Sequence, residues 1–263
     1  MVGGLQNATK KRSKGINPIF ICLLKGAYNV LKIMKQLLKR VGHRLLDNDL
    51  NATLKYRLRE FLDKKHEKQN WCLYDIGAHH GGYARGWAKR YPDDEIIMFE
   101  ASPLKEPVLK STGFKYFLKA LGEQEESKTF YESGSTGDSF YLPSDFNKNK
   151  STISINVVPL DKLVESKGLR MPDFIKMDVQ GSELSVIKGG IKSFSHARFL
   201  LIEMSLDDYF NKQNPLIGEV LPHITEIGFL PMHIFEIQRR SHSDLTDDPI
   251  SQLNFLFAKK EKQ

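Results

Sequence analysis

Tyr74-Asp75-Ile76-Gly77-Ala78-His79-His80-Gly81-Gly82-Tyr83 is an apolar run closed by an acid and opened into a glycine-rich loop. Further along, Ile96-Ile97-Met98-Phe99 ends on Glu100 in the same manner. Two strand-like runs that finish on carboxylates predict a nucleoside-binding edge of a parallel sheet, where the second acid meets ribose hydroxyls. Gly77 and Gly81 let the backbone approach a ligand at the carboxyl end of the first strand. The spacing is Asp-x-Gly-x-x-x-Gly, not the Gly-x-Gly-x-x-Gly of the dinucleotide fingerprint. A carboxylate within that turn repels a pyrophosphate lodged at a helix N-terminus, which disfavours an NAD-dependent oxidoreductase. It suits a cationic or zwitterionic ligand. S-adenosylmethionine carries a sulfonium and an ammonium group and no phosphate. Asp75 is therefore expected to hold its methionine end, directly or through water, while Glu100 takes both ribose hydroxyls.

From Trp71 onward, apolar runs alternate with helical segments, the pattern of stacked βα units and a parallel sheet. Strands are expected near 71–75, 96–100, 114–120, 174–178, 199–204, 230–237 and 255–259. The long segment 121–171 holds Gly134, Ser135, Gly137, Ser139 and Pro143, and alternating pieces such as Thr152-Ile153-Ser154-Ile155-Asn156-Val157. It reads as an inserted hairpin and loop, the place for a lid or an acceptor-binding wall. After the helix stop at Gly228, the last two strands flank the polar segment 238–251 and form an antiparallel pair. The fold class is α/β: a seven-stranded, mostly parallel, Rossmann-like sheet with an antiparallel last strand, of the class I methyltransferase type. It occupies residues 71–263 and follows a basic helical N-terminal extension over 1–70.

The 263 residues suffice for one buried domain plus an extension, and the ordinary proportions of hydrophobic and charged residues argue against a disordered or fibrous chain. The net charge of +7 is unevenly spread. Lys10, Lys11, Arg12, Lys14, Lys25, Lys32, Lys35, Lys39, Arg40 and Arg44 all precede the first acid, Asp47. That points to a local basic surface and away from a nucleic-acid groove, for which no motif is present. Ala27, Val30, Leu31, Met34, Leu37, Leu38 and Val41 recur at helical spacing opposite lysines. This basic amphipathic helix packs on the main domain, joins a second subunit, or attaches peripherally to an anionic membrane. Cys22 and Cys72 read as reduced apolar side chains, which makes the cytosol the default compartment. The Asn-x-Ser/Thr triplets beginning at Asn7, Asn51 and Asn149 carry little weight without a secretion signal.

Six motifs occur in order: Asp75-Ile76-Gly77-Ala78-His79-His80-Gly81, Phe99-Glu100-Ala101-Ser102-Pro103, Ala120-Leu121-Gly122, Val158-Pro159-Leu160-Asp161-Lys162-Leu163, Ile175-Lys176-Met177-Asp178-Val179-Gln180-Gly181-Ser182-Glu183 and Leu201-Ile202-Glu203. Together they resemble the FkbM family of S-adenosylmethionine-dependent methyltransferases, which act on hydroxyl groups. The resemblance runs from Trp71 to Met204, with a fading tail to Phe257. It implies a cofactor site built from Asp75, Gly77, Ala78, His79, Gly81, Tyr83, Glu100, Ala101, Ser102, Ala120, Leu121 and Asp178. Ser139 of the Asp138-Ser139-Phe140 stretch is expected to close over the adenine, whose ring edge the backbone of Lys119-Ala120-Leu121-Gly122 reads. His79 stands where the family usually has Asn, and His79 or His80 could alternatively serve as an acceptor-side base.

Asp178, Glu183 and Glu203 are expected to face the transfer cleft at the switch point of the sheet. Either Asp178 deprotonates the acceptor hydroxyl, or it orients the reactants while Glu183 or Glu203 participates. The three carboxylates could also hold a divalent ion, but no His joins them at ligand spacing, so no metal is assigned. The resemblance implies an O-methyltransferase acting on a sugar, a glycan or a secondary-metabolite intermediate. The rival is a cofactor-binding subunit that no longer transfers methyl groups and scaffolds a glycan-assembly complex through the basic helix.

Overall fold

Cys72, Tyr74 and Ile76 point to one side of their strand and Leu73 to the other, and all four are at most 1% exposed. A strand buried on both faces is the signature of a sheet covered by helices on both sides. The computed structural model describes residues 45–67, 69–132, 137–142, 151–207, 213–239 and 249–259. The basic amphipathic helix expected over 27–41 lies outside them, as do Cys22, Asn7, Asn149, Gly134, Ser135 and Pro143.

The chain runs α1 (Leu45–His66), β1 (Cys72–Ile76), α2 (Gly82–Arg90), β2 (Glu95–Glu100), α3 (Glu106–Lys110), β3 (Lys115–Leu118), β4 (Ala120–Leu121), β5 (Glu126–Glu132) and β6 (Ser151–Val158). It continues with α4 (Leu160–Lys167), β7 (Phe174–Met177), α5 (Glu183–Gly189), α6 (Ile191–His196), β8 (Phe199–Ser205), α7 (Ile217–Glu226), β9 (Phe229–Arg239) and β10 (Ile250–Lys259). The main sheet has seven strands in the order β3-β2-β1-β7-β8-β10-β9. β10 is antiparallel to both neighbours and the remaining pairs are parallel. All seven expected strands are present, and the fold is the class I methyltransferase sheet. Segment 121–171 contains the antiparallel β5–β6 hairpin, joined to β4 in a separate three-stranded sheet. It also contains α4, a crossover helix that brings Leu160, Leu163 and Val164 onto the main sheet.

One core lies between the sheet and α4 to α7, with Phe99, Met177, Phe194, Ile202 and Phe229 at its centre. The other lies under α1 to α3 and holds Trp71, Trp87, Leu109, Phe174 and Phe199. Helix α1 enters this second core through Leu58 and Leu62. The compact body accordingly begins at Asp47, upstream of the Trp71 boundary expected from the strand pattern.

Polar contacts fix the register of α1. The Asn51 amide accepts from the Ile237 N–H at 3.0 Å and donates to the Ile237 carbonyl at 3.2 Å, and Lys55 pairs with Glu236 at 2.9 Å. At the other end His66 stacks on Tyr91, with centroids 4.0 Å apart, and meets Asp94 at 2.9 Å. The Asp94 carboxylate is fully buried and also accepts the Trp71 backbone N–H at 2.9 Å and the Trp87 indole N–H at 2.8 Å. Among the described residues no helix is long and apolar enough to cross a membrane.

Because Asp94 is the shared acceptor of α1, β1 and α2, Asp94→Ala leaves several buried donors unanswered. Urea unfolding of the variant is expected to show a loss of about 3 kcal/mol.

Candidate active site

Gly77 follows β1 with φ +73°, and a Cβ built on it would lie 1.8 Å from the Asp178 carbonyl oxygen. Only glycine fits where these two loops touch. The Gly77 and Ala78 N–H groups donate to the Phe99 carbonyl at 2.9 and 3.1 Å, so the ends of β1, β2 and β7 meet at one turn. Gly81, with φ +68°, then opens α2.

His79 also adopts the left-handed conformation, with φ +51°. Asn and His are among the residues that tolerate it best, which accounts for the exchange at this position. Its backbone N–H donates to Glu100 at 2.7 Å, a contact that does not depend on the side chain. The other Glu100 oxygen accepts the Ser102 N–H at 2.9 Å. Burial pushes the Glu100 carboxyl upward, and these backbone donors oppose the shift.

Asp75 is fully buried, and Lys176 from the neighbouring strand stands 3.3 Å from it. The same ammonium donates to the Gly77 carbonyl at 2.9 Å and lies 3.8 Å from Asp178. Burial beside Asp75 raises the Tyr83 hydroxyl well above its ordinary value, so Tyr83 stays protonated next to this cluster. Lys176 is a residue that sequence reasoning passed over: inside an apolar strand it reads as an isolated charge, and its partners lie on other elements.

Gln180 brings Asp178 and Glu203 together, and Glu183 braces the same loop through the loop's backbone. The Gln180 amide donates to Asp178 at 2.7 Å and to Glu203 at 3.1 Å. Their environments differ. The Asp178 side chain keeps 34% of its surface exposed. Glu183 is buried, and it accepts the Gly181 N–H at 3.1 Å and the Val179 N–H at 3.4 Å, bracing the loop that carries Asp178. Burial pushes its carboxyl up to about 7. Glu203 lies in the interior strand β8, surrounded by amides: Gln252 at 2.9 Å, Gln238 at 2.7 Å and Asn254 at 3.3 Å join Gln180. Burial, with Asp178 and Glu183 nearby, pushes its carboxyl up to about 8. Of the three, Asp178 alone is open to a substrate. Gln238, Gln252 and Asn254 sit on β9 and β10 and had no signal in the sequence. Among the described residues no group of three His, Cys, Asp or Glu side chains could hold a metal ion.

The inserted segment is fastened on both sides of this cleft. Ser102, following β2, donates to Glu132 at the end of β5, and Lys105 pairs with Asp138 at 3.9 Å. On the other side the Ser139 hydroxyl donates to the Gln180 carbonyl at 2.6 Å. Ala120 and Leu121 pair with Val157 and Val158 beneath the hairpin, and Ala101 lies between Glu100 and buried Ser102.

A doubly wound sheet in this order, with an acid-closed glycine turn facing a second acid at the end of β2, defines a class I methyltransferase. The chain matches the Methyltransferase FkbM domain over residues 75–231 and belongs to that family. It is 27% identical over 225 residues to the 2-O-methyltransferase NoeI of Sinorhizobium fredii, a match covering 72% of this chain and 93% of that protein. It is 32% identical over 79 residues to the hexuronic acid methyltransferase AglP of Haloferax volcanii, covering 27% of this chain and 33% of AglP. Among solved structures, the FkbM methyltransferase of Methylobacillus flagellatus aligns with a TM-score of 0.44 at 21% identity, over 71% of this chain and 43% of that one. The protein is a methyltransferase.

The raised Glu183 carboxyl has a thermodynamic consequence. The folded state holds a proton that the unfolded chain releases from about 4.5, so this contribution is complete below 4.5 and is lost as pH rises through about 7. Glu183→Gln keeps an oxygen for the Gly181 N–H and removes the titration. Its unfolding free energy is expected to vary less between pH 4.5 and 7 than that of the wild type, with about 3 kcal/mol of slope removed. Denaturation measured across that window checks this.

Proposed function

We propose that the protein transfers the methyl group of S-adenosylmethionine to a hydroxyl of a sugar or glycan. The observation that carries the reading is the Gly77 turn, packed against the Asp178 backbone and flanked by Glu100 and the accessible Asp178 carboxylate. The donor set suits this cofactor, since two carboxylates line the turn and oppose the phosphates of a dinucleotide. When bound, S-adenosylmethionine supplies an electrophilic methyl group on a sulfonium.

Glu100 is already held by two backbone N–H groups and offers its remaining lone pairs to the ribose hydroxyls. Asp75 acts through Lys176, which fixes the end of β1 against β7, so its contribution to the methionine end is an electrostatic background. Asp178 accepts the proton of the acceptor hydroxyl, a poor nucleophile until that proton leaves. Lys176 stands 3.8 Å from this carboxylate, and Gln180 fixes its orientation. Glu183 and Glu203 shape this loop from behind. Methyl displacement needs little covalent assistance, so alignment supplies much of the remaining acceleration. The names of NoeI and AglP, a 2-O-methyltransferase and a hexuronic acid methyltransferase, support a sugar acceptor.

Calorimetry with S-adenosylmethionine and NAD tests the cofactor; preferential NAD binding would overturn the reading. Glu100→Ala is expected to weaken S-adenosylmethionine binding by about tenfold or more. Asp178→Asn is expected to lower kcat by about a hundredfold or more while the cofactor Kd stays nearly constant. An unchanged rate would remove Asp178 from the mechanism. Cofactor binding without turnover on a broad panel of hydroxylated acceptors would favour the scaffold subunit.

A further inference from the structure

A cavity of about 260 Å³ lies between the inserted hairpin and the first turn of α5, lined by Leu121, Phe140, Tyr141, Ser182, Ser185 and Lys128, among others. It adjoins the loop that carries Asp178. Tyr141 packs on Gly181, its ring carbon 3.0 Å from where a Cβ would stand, and Ser182 is the fourth residue after Asp178. Ser139, just before the two aromatics, is tied to the Gln180 carbonyl.

The lining has two kinds of surface. Phe140, Tyr141 and Leu121 give apolar walls, whereas Ser182 and Ser185 bring hydroxyls from the N-cap and first turn of α5. Lys128 stands at the rim, paired with Glu126 at 2.8 Å and held over the Phe140 ring at 5.8 Å. The Tyr141 hydroxyl remains a donor, because burial and the nearby Glu183 and Glu219 raise it above its ordinary value. A pyranose ring has matching chemistry: apolar C–H faces that stack on aromatic rings and a rim of hydroxyls that need several partners. The volume falls just below the roughly 300–1,000 Å³ of pockets for drug-sized ligands and has room for a single ring.

We propose that this cavity is the subsite for one sugar ring of the acceptor. The proposal rests on the reading of the protein as a sugar O-methyltransferase. It gives the inserted hairpin a selective role: the walls contributed by 137–142 and β5 set which glycan residue lies beside Asp178.

Saturation-transfer NMR on the full chain with S-adenosylhomocysteine present tests this, with methyl glycosides of glucose, fucose and glucuronic acid as probes. At least one probe is expected to give ring-proton signals with the wild type. These should fall by about fivefold or more in Tyr141→Ala and in the surface variant Lys128→Ser. The S-adenosylhomocysteine Kd should stay within about twofold in both. Signals unchanged in both variants would overturn the subsite and leave the methyltransferase reading intact. A rise of about tenfold in that Kd would assign the cavity to the cofactor instead. Silence of all three sugars with the wild-type chain would overturn the acceptor class and the subsite together.

Discussion

The Lys176 ammonium, placed among Asp75, Asp178 and the Gly77 carbonyl, is the contact on which the candidate site depends. A fully buried carboxylate such as Asp75 is costly without a counter-charge. Lys176 provides one from the adjacent strand and thereby locks the carboxyl ends of β1 and β7 in register. The same group stands 3.8 Å from Asp178. The Gly77 loop and the Asp178 loop are thus joined through one cation, and the backbone contact at Gly77 leaves little freedom between them.

Around that cation the acids take different parts because their surroundings differ. Glu100 faces backbone N–H groups, Glu183 holds the turn after Asp178, and Glu203 is enclosed by side-chain amides from two strands and the loop after β7. Asp178 combines partial exposure with an adjacent cation, the surroundings on which its proposed role rests. Chemically identical groups are sorted by desolvation and by the number of donors that reach them.

Much of this architecture was legible in the chain because it is local. Apolar runs closed by acids located β1 and β2, and the alternation in Thr152–Val157 exposed the hairpin, since period-2 patterning survives any tertiary context. The left-handed turn at His79 explains a departure that looked anomalous as sequence alone. What escaped was non-local. The amides around Glu203 come from β9 and β10, well downstream in the chain, and Lys176 finds Asp75 only when the strands pair. Helix α1 falls within the 1–70 extension, and its anchoring relies on Asn51, His66 and their partners on other elements. The expectation that Asp75 holds the methionine end, directly or through water, rests on its position at a strand end, whereas its burial beside Lys176 is a property of the folded sheet.

The contact between Asn51 and Ile237 reaches beyond packing. β9 is an edge strand, and an exposed edge invites another chain to add to the sheet. The Asn51 side chain occupies both hydrogen-bonding groups of one residue there, as a neighbouring strand would. Asn51 also begins the triplet Asn51-Ala52-Thr53, and Thr53 donates to the Asp49 carbonyl at 2.8 Å within the helix. The amide nitrogen that an oligosaccharide would require is committed to the sheet. This triplet therefore works as a plug on the edge, closed to glycan attachment for as long as the helix stays docked.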